Sequence, residues 1–290
     1  MRRGGSASAW GFLAPYLFGV AALVVFPALL TLRYAFSDAT GLSPTSNFNG
    51  LTNYRRMLAD PFFFASLRAS LIHVAIAVPL RLFIAAGLGL LLAAPRRGGR
   101  LYRAAVYLPT VVPDVALALL FLWVLNPLYG PLNQILGALG LPQPVWLTTS
   151  AGARAGVILM LLFPIGEAFL VVLATRRAIA PHLYEAAALD GCSPLQSLRR
   201  ITLPVLAPVL TLLALRDTVL SLQAIFVPTY ALTDGRPANA TLYIPIYLYD
   251  QAFEYAGLGY AAFLTLCVLV VTVGLIVLQL LLARRWRVLR

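Results

Sequence analysis

Lysine is absent from this 290-residue chain, and acidic residues, histidine and cysteine are scarce. All 22 basic residues are arginine, against ten acidic residues, two histidines and two cysteines. Without lysine the chain lacks the Gly-x-x-x-x-Gly-Lys-Ser/Thr phosphate loop, which excludes nucleotide hydrolysis by that route. Cys192 and Cys267 are isolated, which excludes a disulfide framework and a cysteine metal site. His73 and His182 lie far apart in the sequence, and no catalytic cluster of a membrane enzyme is visible.

Apolar residues dominate the chain. It is 61% hydrophobic and 11% charged, with a mean hydropathy of +0.86, whereas soluble domains carry about 25% charged residues. This composition predicts an all-α, polytopic membrane protein with one transmembrane domain over residues 1–290. The aromatic segment 242–255 is expected to lie at a membrane interface. Six apolar runs are long enough to cross about 30 Å of hydrocarbon, at about residues 10–32, 69–93, 104–125, 151–175, 201–228 and 259–283.

The arginines cluster at the ends of the predicted spans. A net charge of +12 alone is compatible with a nucleic-acid partner, but this clustering favours contact with membrane lipid instead. Fourteen arginines fall on one side of the predicted topology and six on the other, while Arg81 and Arg216 lie within spans. The positive-inside rule therefore predicts that both termini and the loop 176–200 are cytoplasmic.

The loop 176–200 has the local signals of a rigid corner. The segment 183–190 is rich in Ala and Leu and favours a helix, and Gly191 is placed to end it in the left-handed conformation. Ser193 is a helix N-cap candidate, Pro194 suits the first helical position, and Gln196 completes a capping box. We therefore expect two short helices joined at an angle.

The same loop contains Glu-Ala-Ala, three residues, Gly, nine residues, Ile, one residue and Leu-Pro. This spacing resembles the EAA loop of bacterial ABC-importer permeases, the segment that docks on the cytoplasmic ATPase subunit. The resemblance implies a docking role for eight residues: Glu185, Ala186, Ala187, Asp190, Gly191, Ile201, Leu203 and Pro204.

Further matches resemble the carbohydrate-uptake permeases of the maltose and glycerol-3-phosphate type. Cys192 departs from the usual Ala, Asp234 and Arg236 from the usual Gly, and Val227 from a common Asp, so the identity of the solute stays open. The matching residues are Gly50 to Tyr54, Asp60, Pro61, Trp123, Gly130, Leu132, Asn133, Leu232 to Pro237, Thr241 and Leu258 to Tyr260.

This resemblance implies a type I ABC-importer permease of the MetI-like fold, in the bacterial inner membrane. The implied partners are a second homologous permease, two ABC ATPase subunits and an extracytoplasmic solute-binding protein. ATP and magnesium would be bound by the ATPase subunits, with no cofactor on this chain.

The implied function is ATP-driven uptake of a sugar or oligosaccharide, with a phosphorylated polyol such as glycerol-3-phosphate as the alternative. A secondary transporter, the alternative from another class, leaves the docking loop unexplained.

Charged side chains inside spans are costly and usually face a partner or a cavity. Two interpretations stay open for them: internal pairing that fixes the packing of helices, or a lining of the solute path. Prolines within the fourth and fifth predicted spans (Pro164, Pro204, Pro208 and Pro228) are expected to kink them, for packing or to open a cavity. The ionisable candidates are Arg81, Asp114, Glu167, Arg216 and Asp217, and the polar candidates for binding solute hydroxyls are Gln223, Tyr230 and Asn126.

Overall fold

A computed structural model describes residues 5–41, 46–94 and 97–285. These residues form helices joined by turns, with no strand among them beyond one isolated bridge between Ser37 and Phe48. The α-helices are α1 Gly5–Val20, α2 Phe26–Ala35, α3 Thr52–Leu58, α4 Pro61–Leu91, α5 Gly99–Tyr107, α6 Asp114–Val124, α7 Pro131–Ala138, α8 Ser150–Leu161, α9 Gly166–Ala178, α10 Pro181–Leu189, α11 Pro194–Ser197, α12 Leu203–Gln223, α13 Phe226–Thr233, α14 Ile244–Tyr249 and α15 Leu258–Arg285.

Four helices of the described chain are long and apolar enough to cross a membrane. Two further pairs, α5 with α6 and α8 with α9, pass the same test when each bent pair is counted as one span. The described residues therefore contain four to six candidate spans, and the predicted all-α membrane fold is confirmed. The four long segments are Phe12–Ala35, Pro61–Leu91, Pro194–Gln223 and Leu258–Arg284.

Two compact units are present. The first contains the chain up to Pro61 together with Leu248–Val270. Within it, the Asn53 side-chain amide donates hydrogen bonds to the carbonyls of Ala35 and Ser37, at 2.9 and 3.0 Å. The Arg56 guanidinium lies over the Tyr260 ring, 3.9 Å from its centroid. These contacts join α2, α3 and the start of α15 through polar groups.

The second unit contains Phe62–Tyr247 and the end of the chain from Val271. One buried cluster joins α6, α8 and α13, around Leu117, Phe121 and Met160. A second cluster packs Phe169 of α9 against α4, and a third packs α9 against α12. Helix α9 therefore packs against the apolar faces of both α4 and α12, while α6, α8 and α13 share a separate cluster.

The third and fourth predicted spans are not continuous helices, which corrects two of the predicted spans. The third bends by 102° between α5 and α6, where Pro109 lies within a short 3-10 turn, Leu108–Val111, and Pro113 precedes the first residue of α6. The fourth bends by 49° between α8 and α9, at the predicted kink of Pro164. Proline lacks the amide hydrogen that an uninterrupted helix requires, and it disfavours helical backbone in the residue before it.

The two breaks lie against each other. The backbone N–H of Gly166, the first residue of α9, donates a hydrogen bond of 2.9 Å to the Thr110 hydroxyl in the other break. A backbone group freed by a break must find a partner when no water is available in the lipid phase. The Thr110 side chain therefore satisfies one such group and holds the two breaks together.

The fifth predicted span also differs from the expectation. A single helical segment runs from Pro194 to Gln223. It includes a π-helical turn at Leu198–Thr202, directly before Pro204, and it continues as an α-helix through Pro208. It is interrupted after Gln223, and Pro228 belongs to the separate helix α13. The predicted helix that begins at Pro194 is confirmed, but it is not a separate short helix, because α11 continues through the π-helical turn Leu198–Thr202 into α12.

The aromatic segment 242–255 is only partly exposed. Phe253 and Tyr255 are exposed, but Tyr243 and Tyr247 are buried, and the Tyr243 ring packs against the buried ring of His73 at 5.1 Å. The expectation that this segment forms an interfacial belt is therefore wrong for Tyr243 and Tyr247. An aromatic ring suits a core as well as an interface, and composition does not distinguish the two.

Gly166→Ala is expected to destabilise the protein by about 1–3 kcal/mol, because a β-carbon there lies 2.4 Å from the Thr110 hydroxyl oxygen and 2.8 Å from the Tyr107 backbone. The measurement is thermal unfolding of the detergent-solubilised protein. Gly87→Ala is the matched control, since that glycine also lies in a helix and nothing lies within 4 Å of its added β-carbon. An unchanged melting temperature for Gly166→Ala contradicts the packing argument.

Candidate functional site

The predicted docking corner begins at the end of α10. Gly191 has a φ of +75°, and its N–H donates to the carbonyl of Ala188 at 3.1 Å. The N–H of Cys192 donates to the carbonyl of Ala187 at 2.9 Å. This pair of hydrogen bonds is the Schellman motif, which closes a helix with glycine in the left-handed conformation. The predicted role of Gly191 as a helix terminator is confirmed.

The predicted capping box is also present at the start of the next helix. The Ser193 backbone N–H donates to Gln196 Oε1 at 2.8 Å, and the Gln196 N–H donates to Ser193 Oγ at 3.3 Å. Only Cys192 lies between the glycine that ends α10 and this N-cap. The corner is therefore held by the Schellman hydrogen bonds on one side and by the reciprocal bonds of the capping box on the other, which leaves its backbone little freedom.

The outer face of the corner is exposed. Helix α10 has no buried residue, and Leu189 is 90% exposed. On its inner side, the Tyr184 hydroxyl lies 2.8 Å from the Thr202 hydroxyl, and the Arg176 guanidinium lies 4.2 Å from the centroid of the Tyr184 ring. The corner is thus attached to its own unit along one side and presents the other to solvent or a partner.

The docking residues identified from the motif fall on two elements. Glu185, Ala186, Asp190 and Gly191 are exposed and Ala187 is half-buried, all on α10 and its C-terminal turn. The other three lie beyond the corner, at the start of the long helix, where Ile201 is half-buried and Leu203 and Pro204 are exposed.

A polar cavity of about 220 Å³ lies within the second unit, next to the two helix breaks. Its wall includes Thr110 and Pro164 from the breaks themselves. Asp114 is the first residue of α6, and Glu167 lies in the first turn of α9. The positive ends of two helices therefore point towards one cavity, and an acidic side chain is favoured at each.

Two ion pairs cross this cavity. Arg81 Nη1 lies 3.1 Å from Asp217 Oδ1, and both side chains are largely buried, at 18% and 10% exposure. Arg216 pairs with Glu167, and these two side chains are half-exposed. Internal pairing is therefore confirmed for these four side chains, and all four line the cavity. The interpretation that they line the solute path stays a prediction.

The other polar candidates lie elsewhere. Gln223 is exposed at the end of α12, and Tyr230 stacks on Phe226 in α13, with ring centroids 5.2 Å apart. The side-chain oxygen of Asn126 accepts hydrogen bonds from the N–H groups of Leu128 and Tyr129, so it supports a turn. None of the three lines the 220 Å³ cavity with Arg81 and Asp217.

Thr110 is the cavity residue that the sequence analysis missed. Its signal was the pair of prolines four residues apart, Pro109 and Pro113, inside an otherwise apolar run. Two such prolines predict a break, and a threonine between them is suited to satisfy a freed backbone group.

Comparison with known proteins decides the family. The sequence profile of the binding-protein-dependent transport system inner membrane component matches residues 58–288. The chain belongs to this family. It is 31% identical over 281 residues to the probable ABC transporter permease YurN of Bacillus subtilis, covering 92% of this chain and 94% of that protein. It is 30% identical over 291 residues to the lactose transport system permease LacF of Rhizobium radiobacter, covering 98% and 96%.

A solved structure shares the fold of this permease. It is a bacterial alginate ABC transporter in complex with an alginate-pentasaccharide-bound periplasmic protein, and it superposes with a TM-score of 0.80 at 22% sequence identity. The match covers 96% of this chain and 94% of that one. The permease is therefore a multi-pass component of the inner membrane, in the family of sugar ABC transporter permeases.

Arg81→Met is expected to destabilise the permease by about 3–5 kcal/mol, because it leaves the Asp217 carboxylate buried without its partner. Glu167→Gln is the matched control. It breaks the half-exposed pair with Arg216 and is expected to cost no more than about 1 kcal/mol. Thermal unfolding in detergent measures both variants. Equal losses for the two variants contradict the distinction between the buried pair and the half-exposed pair.

Proposed function

We propose that this permease takes up a neutral sugar or oligosaccharide as one subunit of an ATP-driven importer. A second homologous permease completes the pore, two ABC ATPase subunits dock on the corner at Gly191, and an extracytoplasmic binding protein delivers the solute. Both termini and the corner face the cytoplasm, and the ATPase activity resides on the partner subunits. The observation that carries this proposal is the exposed, doubly capped corner at the motif that resembles the docking loop.

The corner is suited to transmit movement. Its exposed alanines allow close approach of a partner backbone, and the carboxylates of Glu185 and Asp190 are available to basic groups. The capping box begins the helix that runs from Pro194 to Gln223 without a break. A partner that moves the corner therefore moves a long helix directly, which supports a mechanical coupling between ATP binding and access to the solute site.

The pairing of the arginines favours a neutral sugar over a phosphorylated polyol. An anionic phosphate requires arginine donors that are free to bind it. Arg81 and Arg216 instead pair with Asp217 and Glu167 in the cavity. The names of relatives do not decide between the two solutes, because they include the lactose permease LacF, the sulfoquinovosyl glycerol permease SmoG and the sn-glycerol-3-phosphate permease UgpA. The pairing of the arginines alone supports the preference.

We also assign Gln223 and Tyr230 to the solute path, as a second group of solute contacts outside the cavity that Arg81 and Asp217 line. Both are exposed, and they lie on consecutive helices, α12 and α13. Planar amide groups and aromatic faces bind the hydroxyls and the apolar faces of sugars. Asn126 is a weaker candidate for a solute contact, because its side-chain oxygen already accepts two backbone hydrogen bonds.

Gly191→Asp is expected to lower ATP-driven uptake at least about tenfold while the protein still inserts and folds. Nothing lies within 4 Å of the added β-carbon, so the change acts on the corner's conformation and outer surface. The measurement is uptake and ATP hydrolysis by the complex in proteoliposomes. Gly140→Asp is the matched control, because Gly140 has a φ of +69° and equally open surroundings. Normal uptake by Gly191→Asp counts against the docking role.

Gln223→Ala is expected to weaken uptake severalfold without loss of ATPase docking, because it removes hydroxyl-binding groups and no packing contact of the corner. Transport assays with the binding protein present measure the first effect, and co-purification of the ATPase measures the second. Gln134→Ala is the control, since the Gln134 amide donates only to the Tyr129 carbonyl in an exposed turn. Unchanged transport removes Gln223 from the solute path.

A further inference from the structure

A loop without charge joins α6 to α8. It comprises residues 126–149, and we call it the α7 loop because helix α7 lies within it. The sequence contains no Asp, Glu, Lys or Arg between Asp114 and Arg154. The predicted topology places this loop on the extracytoplasmic side. The two other loops predicted on that side do contain charged side chains, which include Asp38, Arg55, Arg56 and Asp60 in the first and Asp234 and Arg236 in the last.

The α7 loop has apolar side chains on two sides. Leu132 and Trp146 are partly buried against the cluster that joins α6, α8 and α13. Ile135 and Leu139 lie four residues apart, which places them on one face of α7, and both are exposed. An exposed apolar surface of this kind marks contact with a membrane or with another protein. The exposed apolar residues are Leu128, Tyr129, Ile135, Leu139, Leu141 and Val145, of which Leu128 is 88% exposed.

Backbone donors from residue 126 to residue 141 are mostly bonded within the protein. The side-chain oxygen of Asn126 accepts from the N–H groups of Leu128 and Tyr129, at 3.0 and 3.2 Å. After α7, the N–H groups of Gly140 and Leu141 donate to carbonyls in its last turn, at 3.0 and 2.8 Å. Water satisfies exposed backbone groups and lipid does not, so a loop near lipid requires such internal bonds. Prolines reduce the number of donors further, at Pro127, Pro131, Pro142 and Pro144.

The buried side chain of Asn133 holds the two ends of the α7 loop together. Its amide group donates to the carbonyls of Pro127 and Pro144, at 3.2 and 3.0 Å. Its oxygen accepts from the indole N–H of Trp146 at 2.8 Å. Both amide hydrogens and the oxygen of Asn133 are thus used inside the loop, as is the one donor of Trp146. The fold of the loop therefore depends on its own polar groups and does not require water.

Two observations favour lipid over a protein as the partner of the exposed face. A protein interface has a polar rim and direct hydrogen bonds, whereas this loop has no charged side chain and its buried polar groups are bonded internally. Exposed aromatic side chains lie at its start, with Trp123 in the last turn of α6 and Tyr129 after it. Tryptophan and tyrosine are enriched where a membrane meets water. Helices α6 and α8 belong to candidate spans, so the loop begins at that level.

We propose that the α7 loop is a membrane anchor that lies in the extracytoplasmic lipid interface, with Leu128, Ile135 and Leu139 inserted among the acyl chains. The anchor fixes the depth of α6 and α8 relative to the bilayer. The loop has no basic residue, so its contact is with the apolar part of the lipid and does not require anionic headgroups. The inference goes beyond the proposed uptake function and uses only the predicted topology.

Spin labels measure the surroundings of the loop directly. Cys192 and Cys267 are replaced by alanine, and Leu128→Cys, Ile135→Cys or Leu139→Cys is introduced singly and labelled. The full importer complex is reconstituted in vesicles of phosphatidylethanolamine and phosphatidylglycerol. Electron paramagnetic resonance then gives the collision rates of each label with oxygen and with nickel ethylenediaminediacetate. Oxygen concentrates in lipid and the nickel complex in water, and a protein contact excludes both.

The matched control is Leu51→Cys, because Leu51 is also an exposed leucine but lies in a loop that contains charged side chains. The ratio of oxygen to nickel collision rates is expected to be at least about threefold higher at the three positions of the α7 loop than at this control. The ratio is expected to be the same in vesicles of phosphatidylcholine alone. Addition of the solute-binding protein is expected to leave the ratio at the α7 loop unchanged.

A pair of variants tests whether the exposed face of α7 is inserted. Leu139→Asp places a charge on that face, and Thr148→Asp places the same charge at an exposed polar position of the same loop. With the label at Ile135→Cys, Leu139→Asp is expected to lower the collision ratio about twofold or more, because a charged group is expelled from lipid. Thr148→Asp is expected to leave the ratio unchanged.

Three results overturn the inference. A collision ratio as low as that of Leu51→Cys places the loop in water, and low rates with both reagents place it against another subunit. Protection from both reagents on addition of the solute-binding protein makes the loop a docking site for that protein. Equal ratios in Leu139→Asp and Thr148→Asp overturn the insertion of α7. The labels in the uncharged variants test the inference even if Leu139→Asp does not assemble. Transport is not measured, so failure of the proposed uptake leaves this result unaffected.

Discussion

The hydrogen bond from the Gly166 backbone to the Thr110 hydroxyl holds two helix breaks at one place, and the cavity of the permease depends on it. A broken helix inside a membrane leaves backbone groups that lipid does not satisfy. Here the two breaks lie together, so that a polar side chain at one break accepts a hydrogen bond from the backbone of the other. Because Gly166 has no side chain, the two segments approach closely enough for this hydrogen bond to form. The same placement points the N-terminal ends of α6 and α9 at a common space, where charged side chains are tolerated.

The position of this cavity determines where the paired charged side chains of the second unit lie. Four of its ionisable side chains form two pairs with different surroundings, one largely buried and one half-exposed. A buried pair is costly to break and contributes little net stability when intact, so its main effect is to restrict which arrangement α4 and α12 adopt. The half-exposed pair between α9 and α12 is expected to contribute a free energy similar to that of a surface ion pair. Asp114 joins neither pair.

Local signals in the sequence predicted local structure well. Gly191 and the Ser193–Gln196 capping box were identifiable because each acts over only a few residues. The bend before Asp114 was missed because the span was predicted from its apolar composition, which does not report whether the backbone is continuous, and the signal of Pro109 and Pro113 was not used. Which carboxylate pairs with Arg81 was equally hidden, since Asp217 lies far away in the sequence and on another helix. The burial of Tyr243 against His73 likewise depends on the packing of distant elements, which hydropathy does not contain.

One uninterrupted helical segment begins at the Ser193 cap and reaches Arg216, Asp217 and Gln223. At about 1.5 Å per residue, the cap and Asp217 are separated by roughly 35 Å along this segment. We expect a movement of the first turn of this segment to be transmitted towards Asp217, because the helix is continuous between them. Asp217 thus lies on the helical segment that begins at the exposed corner around Gly191. We expect a displacement of the corner at Gly191 to change the distance between Asp217 and Arg81, because Arg81 lies on a different helix.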